Sequence, residues 1–132
     1  MKKFIYLVSV ITFLSFPVYS VAQDKPVSND KPVSINTVKI ENFMYSPDFI
    51  EIAPGTTVQW INADSVAHDV TSGESITGRK ARGLRKTQFP DGMFSSGLFG
   101  KNKMFSETFN EKGVYPYYCN IHPFMMAKVI VR

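Results

Sequence analysis

Apolar and polar side chains alternate in short runs from about Ser34 to the C-terminus. Val38 and Ile40 alternate with Lys39 and Glu41, Ile50 and Ile52 flank Glu51, and Val58 and Trp60 flank Gln59. A period of two turns one face of each run inward, which predicts half-buried β-strands. Pro54-Gly55, Ser72-Gly73, Asp91-Gly92 and Glu111-Lys112-Gly113 punctuate the runs with turn residues. No run sustains a helical period, and short strands spread over about a hundred residues are enough to close two sheets on one core. The pattern predicts an all-β chain folded as a β-sandwich. One stretch interrupts the rhythm: Gly73 to Gly92 carries Arg79, Lys80, Arg82, Arg85 and Lys86 with little apolar content and reads as a long surface loop.

Ahead of the strands the composition changes twice. Asp24-Lys-Pro-Val-Ser28 recurs as Asp30-Lys-Pro-Val-Ser34, a charged, proline-containing repeat typical of an extended linker. Before it, Lys2 and Lys3 precede the uncharged, largely apolar run Phe4 to Phe16, and Ser20-Val21-Ala22 supplies the small residues of a cleavage site. The expected organisation is an export signal over residues 1–22 with cleavage near Ala22, a polar linker over 23–33 and one domain over 34–132. Export to the periplasm or another compartment outside the cytoplasm follows. The alternative is an uncleaved membrane anchor, since Phe4 to Ala22 has no charge; Pro17 and the small-residue exit favour cleavage.

Composition narrows the chemistry. At 44% hydrophobic and 20% charged residues, the 132-residue chain can bury a core, which argues against wholesale disorder. Its 15 basic and 11 acidic side chains leave a formal charge of +4. Removing Lys2 and Lys3 reduces the balance to 13 − 11 = +2, so nucleic-acid binding has little support. Two histidines and one cysteine are too few for a multi-metal oxidase site or a disulfide scaffold.

Those scarce residues converge on one pattern. In Tyr115-Pro-Tyr-Tyr-Cys119-Asn-Ile-His122-Pro-Phe-Met125-Met126, a thiolate, an imidazole and a thioether recur three residues apart, directly after a β-type run. A tight turn there can bring all three round one point. His68 lies 119 − 68 = 51 residues upstream, at the end of another strand-like segment. Singly, each residue has an ordinary explanation: a buried cysteine, a satisfied histidine, a gap-filling methionine. Together they form the His₂Cys set with a weak thioether that suits a blue copper centre. The thioether disfavours zinc, and a cysteine nucleophile would lack an orienting third group.

Cys119-x-x-His122-x-x-Met125 after an aromatic strand, with His68-Asp-Val upstream, resembles the cupredoxins, most closely their plastocyanin and amicyanin branch. The resemblance extends over Ser34 to Arg132, including Phe94-Ser-Ser-Gly-Leu98 and a Phe109 to Cys119 hairpin, and His122-Pro-Phe-Met125 matches the short amicyanin ligand loop. It implies a Greek-key β-sandwich with one type 1 copper at one end, Met125 as axial ligand, and a soluble one-electron carrier. Two departures stand out. Asp69 occupies a position where the family commonly has Asn; a carboxylate only accepts hydrogen bonds and adds negative charge near the metal. Asn120-Ile121 stands where relatives often carry Thr and Pro, which adds a backbone donor and loosens the unfolded loop.

Two functions compete: electron transfer between redox partners, and a copper-binding module for storage, delivery or resistance. Met44, Met93, Met104 and Met126 are scattered in sequence, with no second methionine cluster, which favours electron transfer. An enzyme would need an open coordination position and local acid or base groups, for which Asp69 is the only candidate. Tyr115 and Tyr117 share the parity of Cys119 and are expected in the core. Pro123, Phe124, Phe94, Leu98 and Phe99 are candidates to ring the exposed edge of His122, with a core position for Phe94 and Phe99 equally open. The basic loop Arg79 to Lys86 is either a solvated insertion or a docking surface for an acidic redox partner. A monomer without stable membrane insertion after signal cleavage is expected.

Overall fold

A computed structural model describes residues 35–132; the expected export segment and linker lie outside the described residues. Nine strands follow in order: β1 Ile35–Glu41, β2 Met44–Ser46, β3 Phe49–Ile52, β4 Thr56–Asn62, β5 Thr71–Ser75, β6 Gln88–Ser95, β7 Met104–Phe109, β8 Gly113–Tyr118 and β9 Met126–Val131. Among the described residues the one helical element is a 3-10 turn, Gly78–Ala81. The strands form two sheets, β2-β1-β4-β7 and β3-β9-β8-β5-β6. The chain changes sheet after β2, β3, β4, β6 and β7, so four of the seven strand pairings join strands distant in sequence.

The alternation seen in the sequence is realised on the inner faces. Along β4, Thr56, Val58, Trp60 and Asn62 are buried while the residues between them are half-exposed. Val38 and Ile40 of β1 lie beside them with no solvent exposure, and Val129 and Val131 of β9 face them from the other sheet. Burying each such aliphatic side chain contributes about 1.5–3 kcal/mol. Trp60 occupies the centre, with the rings of Tyr117, Phe105, Phe94 and Phe109 at 5.3, 5.6, 6.1 and 6.4 Å.

Two local features differ from the sequence expectation, and a third lies where the sequence pattern gives none. The basic loop is shorter, because Gln88–Ser95 pairs with β5 as the edge strand β6. An edge strand exposed along most of its length, with only Phe94 near its end turned into the core, needs no apolar alternation, and Pro90 is tolerated there. Gly73 is required at this pairing: its φ is +122°, and a Cβ would lie 2.2 Å from the Phe89 carbonyl oxygen. Second, Phe109 to Cys119 is no hairpin, since β7 and β8 belong to opposite sheets. Phe109 points into the core, Tyr115 packs on it at 5.0 Å, and the Tyr115 hydroxyl donates to the Glu111 carbonyl, closing an arch between the sheets.

The third concerns the turn joining β1 to β2. Asn42 and Phe43 have φ of 55° and 58°, the left-handed pair that two-residue hairpin loops demand. Such loops favour Asn-Gly, and a left-handed L-residue with a side chain costs about 1–2 kcal/mol. The offset is visible: both backbone N–H groups donate to the Asp64 carboxylate, at 2.7 and 2.9 Å.

Candidate metal centre

The site lies at one end of the sandwich, where the segment after β4, the loop after β8 and the β1–β2 turn meet. His68 is fixed by the backbone on both sides. Its N–H donates to the Phe99 carbonyl at 3.2 Å and its carbonyl accepts from Phe99 N–H at 2.9 Å. Val70 N–H donates to the Ser96 hydroxyl at 2.8 Å. The His68 side chain has no solvent exposure, and its Nε2 lies 2.9 Å from Asp64 Oδ2. An ionised carboxylate cannot donate, so the ring proton sits on Nε2 and the Nδ1 lone pair faces the centre of the site. Burial alone would raise the Asp64 carboxyl, but the amide hydrogens of Phe43 and Asn42, together with His68, outweigh it and hold it below its usual range.

Cys119 follows β8 and is completely buried. Its backbone N–H donates to the Met125 carbonyl at 3.2 Å, and Met125 N–H donates to the His122 carbonyl at 2.8 Å. These two bonds curl Cys119 to Met125 into a compact loop that brings His122 Nδ1 inward. Burial pushes the Cys119 thiol up, chiefly against the neighbouring Asp69 backbone hydrogen bond, so a metal must displace a proton to gain the thiolate.

The three donors converge. Cys119 Sγ is 3.9 Å from His68 Nδ1 and 3.7 Å from His122 Nδ1, and the two nitrogens are 3.1 Å apart. A triangle with these sides has a circumscribed radius of about 2.1 Å, which matches metal–nitrogen distances of about 2.0–2.1 Å and approaches the metal–sulfur distance of about 2.3 Å. The residues therefore fit a single first-row ion held by one thiolate and two imidazoles. Met125 is 2% exposed and lies at the base of the same loop, where a weak fourth donor would sit.

The two departures noted in the sequence meet each other. Asp69 is 2% exposed, and its carboxylate accepts from the Asn120 N–H, the Asn120 side-chain amide and the Thr71 hydroxyl, each at 2.7 Å. Asn120 is thus the donor that an acidic residue at position 69 requires. The buried charge is hydrogen-bonded on both oxygens and ties the upstream segment to the ligand loop.

Around the site, Phe94 is buried in the Trp60 cluster and takes the core position. Phe99 is half-buried and contributes its backbone to His68. Leu98 and Phe124 are exposed at 62% and 60%, with Ile121 nearby in the ligand loop. Tyr117 is buried as expected, while Tyr118, of opposite parity, is buried as well. Met44 and Met126, distant in sequence, line one cavity with Met125 and Phe124. Sequence patterning missed Asp64 and Phe43. Phe43 sets its ring edge-on to both imidazoles, at 5.4 Å from His68 and 4.9 Å from His122. The available signal was faint: an acidic residue four positions before His68, and an aromatic in a turn that favours glycine.

Residues 33–132 match the model of the family described as copper binding proteins, plastocyanin/azurin family. Amicyanin of Paracoccus versutus is 34% identical over 114 residues, which is 86% of this chain and 77% of that protein. A purple cupredoxin from Nitrosopumilus maritimus superposes with a TM-score of 0.59 at 30% identity, covering 74% of this chain and 99% of the other. A reduced, Cu(I) amicyanin variant gives 0.58 at 28% identity, covering 74% and 82%.

Proposed function

The chain belongs to the plastocyanin/azurin family of copper-binding proteins, and from that premise we propose that His68, Cys119, His122 and Met125 hold its single type 1 copper. It is a blue copper electron carrier and not an enzyme. Bound among these donors, copper supplies a one-electron couple between Cu(I) and Cu(II), thiolate and thioether suiting the reduced ion and imidazole both. The protein's own part is to hold the donors still and to expose one of them. His68 is sealed and held by Asp64, whereas His122 is half-exposed among apolar side chains and offers the edge at which a partner can approach. The observation that carries the ligand assignment is the convergence of Sγ and two Nδ1 atoms within 3.9 Å of one another. Adding Cu(II) to the mature domain should give one intense thiolate-to-copper visible band at one ion per chain. A colourless, or zinc-selective, protein would sink it.

Export through residues 1–22, with cleavage near Ala22 and periplasmic residence, is part of the same reading, and N-terminal sequencing of the mature protein checks it. So is docking of an acidic redox partner on the basic loop. Arg79, Lys80, Arg82, Arg85 and Lys86 are all exposed. The stem of the loop touches the ligand loop: Ser75 Oγ donates to the Pro123 carbonyl at 2.8 Å, and Gln88 Nε2 to the Asn120 carbonyl at 2.9 Å. A partner held by these charges is therefore brought alongside His122. Exposed charges are screened beyond about 8 Å at physiological salt, so they act on encounter rate and orientation. Arg82→Glu with Arg85→Glu should slow electron transfer to an acidic partner and flatten its salt dependence, leaving the copper spectrum unchanged. Indifference to both salt and charge reversal would reduce the loop to a solvated insertion.

The storage or delivery reading draws on Met44 and Met126, which share a cavity with Met125. Rapid loss of Cu(I) to a competing chelator, slowed by Met44→Leu with Met126→Leu, would favour it; tight retention favours electron transfer.

A further inference from the structure

The two imidazoles are held by different means. His68 has the Asp64 carboxylate on Nε2, whereas among the described residues His122 makes no hydrogen bond through Nε2. Besides the His68 ring at 4.9 Å, what touches the His122 ring is Phe43, also at 4.9 Å and nearly perpendicular, and Phe124 at 6.1 Å. Phe124 is 60% exposed, so Phe43 is the better-anchored of the two.

Phe43 is held there against its own backbone preference. It is a bulky residue at φ 58° in a turn that glycine fits without strain, and with 40% exposure its burial is an incomplete compensation. Backbone outliers of this kind persist where the surroundings over-determine them, and they gather at functional sites. Here the over-determination is one carboxylate. Asp64 accepts from Asn42 N–H and Phe43 N–H and also faces His68 Nε2. We propose that Phe43 is a positioning residue for His122, and that Asp64 governs both imidazoles: His68 by direct hydrogen bond, and His122 through the left-handed turn that presses the Phe43 ring against it. The clamp would hold the histidine pair at one separation whichever oxidation state is bound, while leaving the outer edge of His122 clear. This function of the clamp rests on the copper reading above, but its geometry does not.

Phe43→Gly separates the clamp from ordinary packing. Glycine suits the left-handed position, so the metal-free variant should melt at or above the wild-type temperature. At the same time the proton–proton contacts of the His122 ring with Cys119 and His68 should weaken in NMR spectra of the metal-free protein. The Cu(II) electron paramagnetic resonance signal and reduction potential of the loaded protein should shift. Asp64→Ala should disturb the ring signals of both histidines; if that variant does not fold, Asp64→Asn, which keeps one acceptor oxygen, is read in the same way. A lower melting temperature for Phe43→Gly would make Phe43 a packing residue and overturn the proposal. So would unchanged His122 contacts and copper signals, or an Asp64 effect confined to His68. Should wild-type protein give no blue band, the copper reading fails, and the metal-free NMR contacts still decide the clamp.

Discussion

The upstream segment Asn62 to Thr71 and the ligand loop Cys119 to Met125 contribute to one site in opposite ways. The first is sewn into the framework: Asn62 donates its side-chain amide to the carbonyls of Val66 and Phe99, His68 pairs with Phe99, and Asp64 holds the His68 ring. The second is curled by two bonds within itself, Cys119 to Met125 and Met125 to His122, is moored to the framework through Asn120 and Pro123 rather than through its histidine, and carries the exposed Ile121 and Phe124. A carrier of electrons needs ligands that do not rearrange and also a short way out. Dividing these requirements between a buried histidine and a half-exposed one meets both, because the edge proposed to meet a partner is not the edge that holds the site together.

The largest effect expected is at the residue both halves depend on. Cys119→Ser should abolish the intense visible band while metal-free protein keeps its sandwich by circular dichroism; an undiminished band would remove the thiolate from the site. Next comes the contrast between the histidines. Both alanine variants should disturb copper. His68→Ala should also cost the metal-free fold about 1–3 kcal/mol, since it empties a buried position and strips Asp64 of a partner. His122→Ala, on the exposed loop, should stay within about 0.5 kcal/mol in denaturant titrations. Equal costs would mean that the framework and loop division is illusory.

Within the loop, Met125→Leu should raise the reduction potential by removing a weak donor, while Met126→Leu, 43% exposed at the start of β9, should change little. Voltammetry of the pair decides it, and the reverse ranking would shift the ligand register by one. The smallest effect is expected where the halves are tied. Asp69→Asn removes a negative charge and should raise the potential, but three hydrogen bonds already spread that charge. A double-mutant cycle with Asn120→Thr should show coupling of about 0.5–3 kcal/mol in stability, and additivity would mean the two positions are independent.

Much of this molecule was legible along the chain. Alternation at Val38 to Ile40, Ile50 to Ile52 and Val58 to Trp60 marked strands that exist with the expected faces inward. His68, Cys119 and His122 were named from donor chemistry and meet in space. What was not legible fell outside periodic segments. Strand β6 has no alternation because all but its Phe94 end lies exposed at the sheet edge, and the arch at Phe109 to Gly113 looks like a hairpin because a tight turn and a sheet crossover draw on the same turn residues. Phe94 could not be assigned to core or rim, since one aromatic among serines and glycines has no period to place it.

Strand periodicity and metal preference are local properties, the one set by backbone geometry and the other by the donor atoms, so the sequence alone determined that this is a β-sandwich with a His₂Cys and methionine donor set. Which side chains serve those donors was decided by tertiary structure. Asp64 reaches Asn42, Phe43 and His68, and Asp69 finds Asn120 across 51 positions, only because the chain crosses between sheets before it returns to this end. A carboxylate's partner is fixed by where the backbone brings its donors, and that depends on turn geometry and strand order, which no short run of residues encodes.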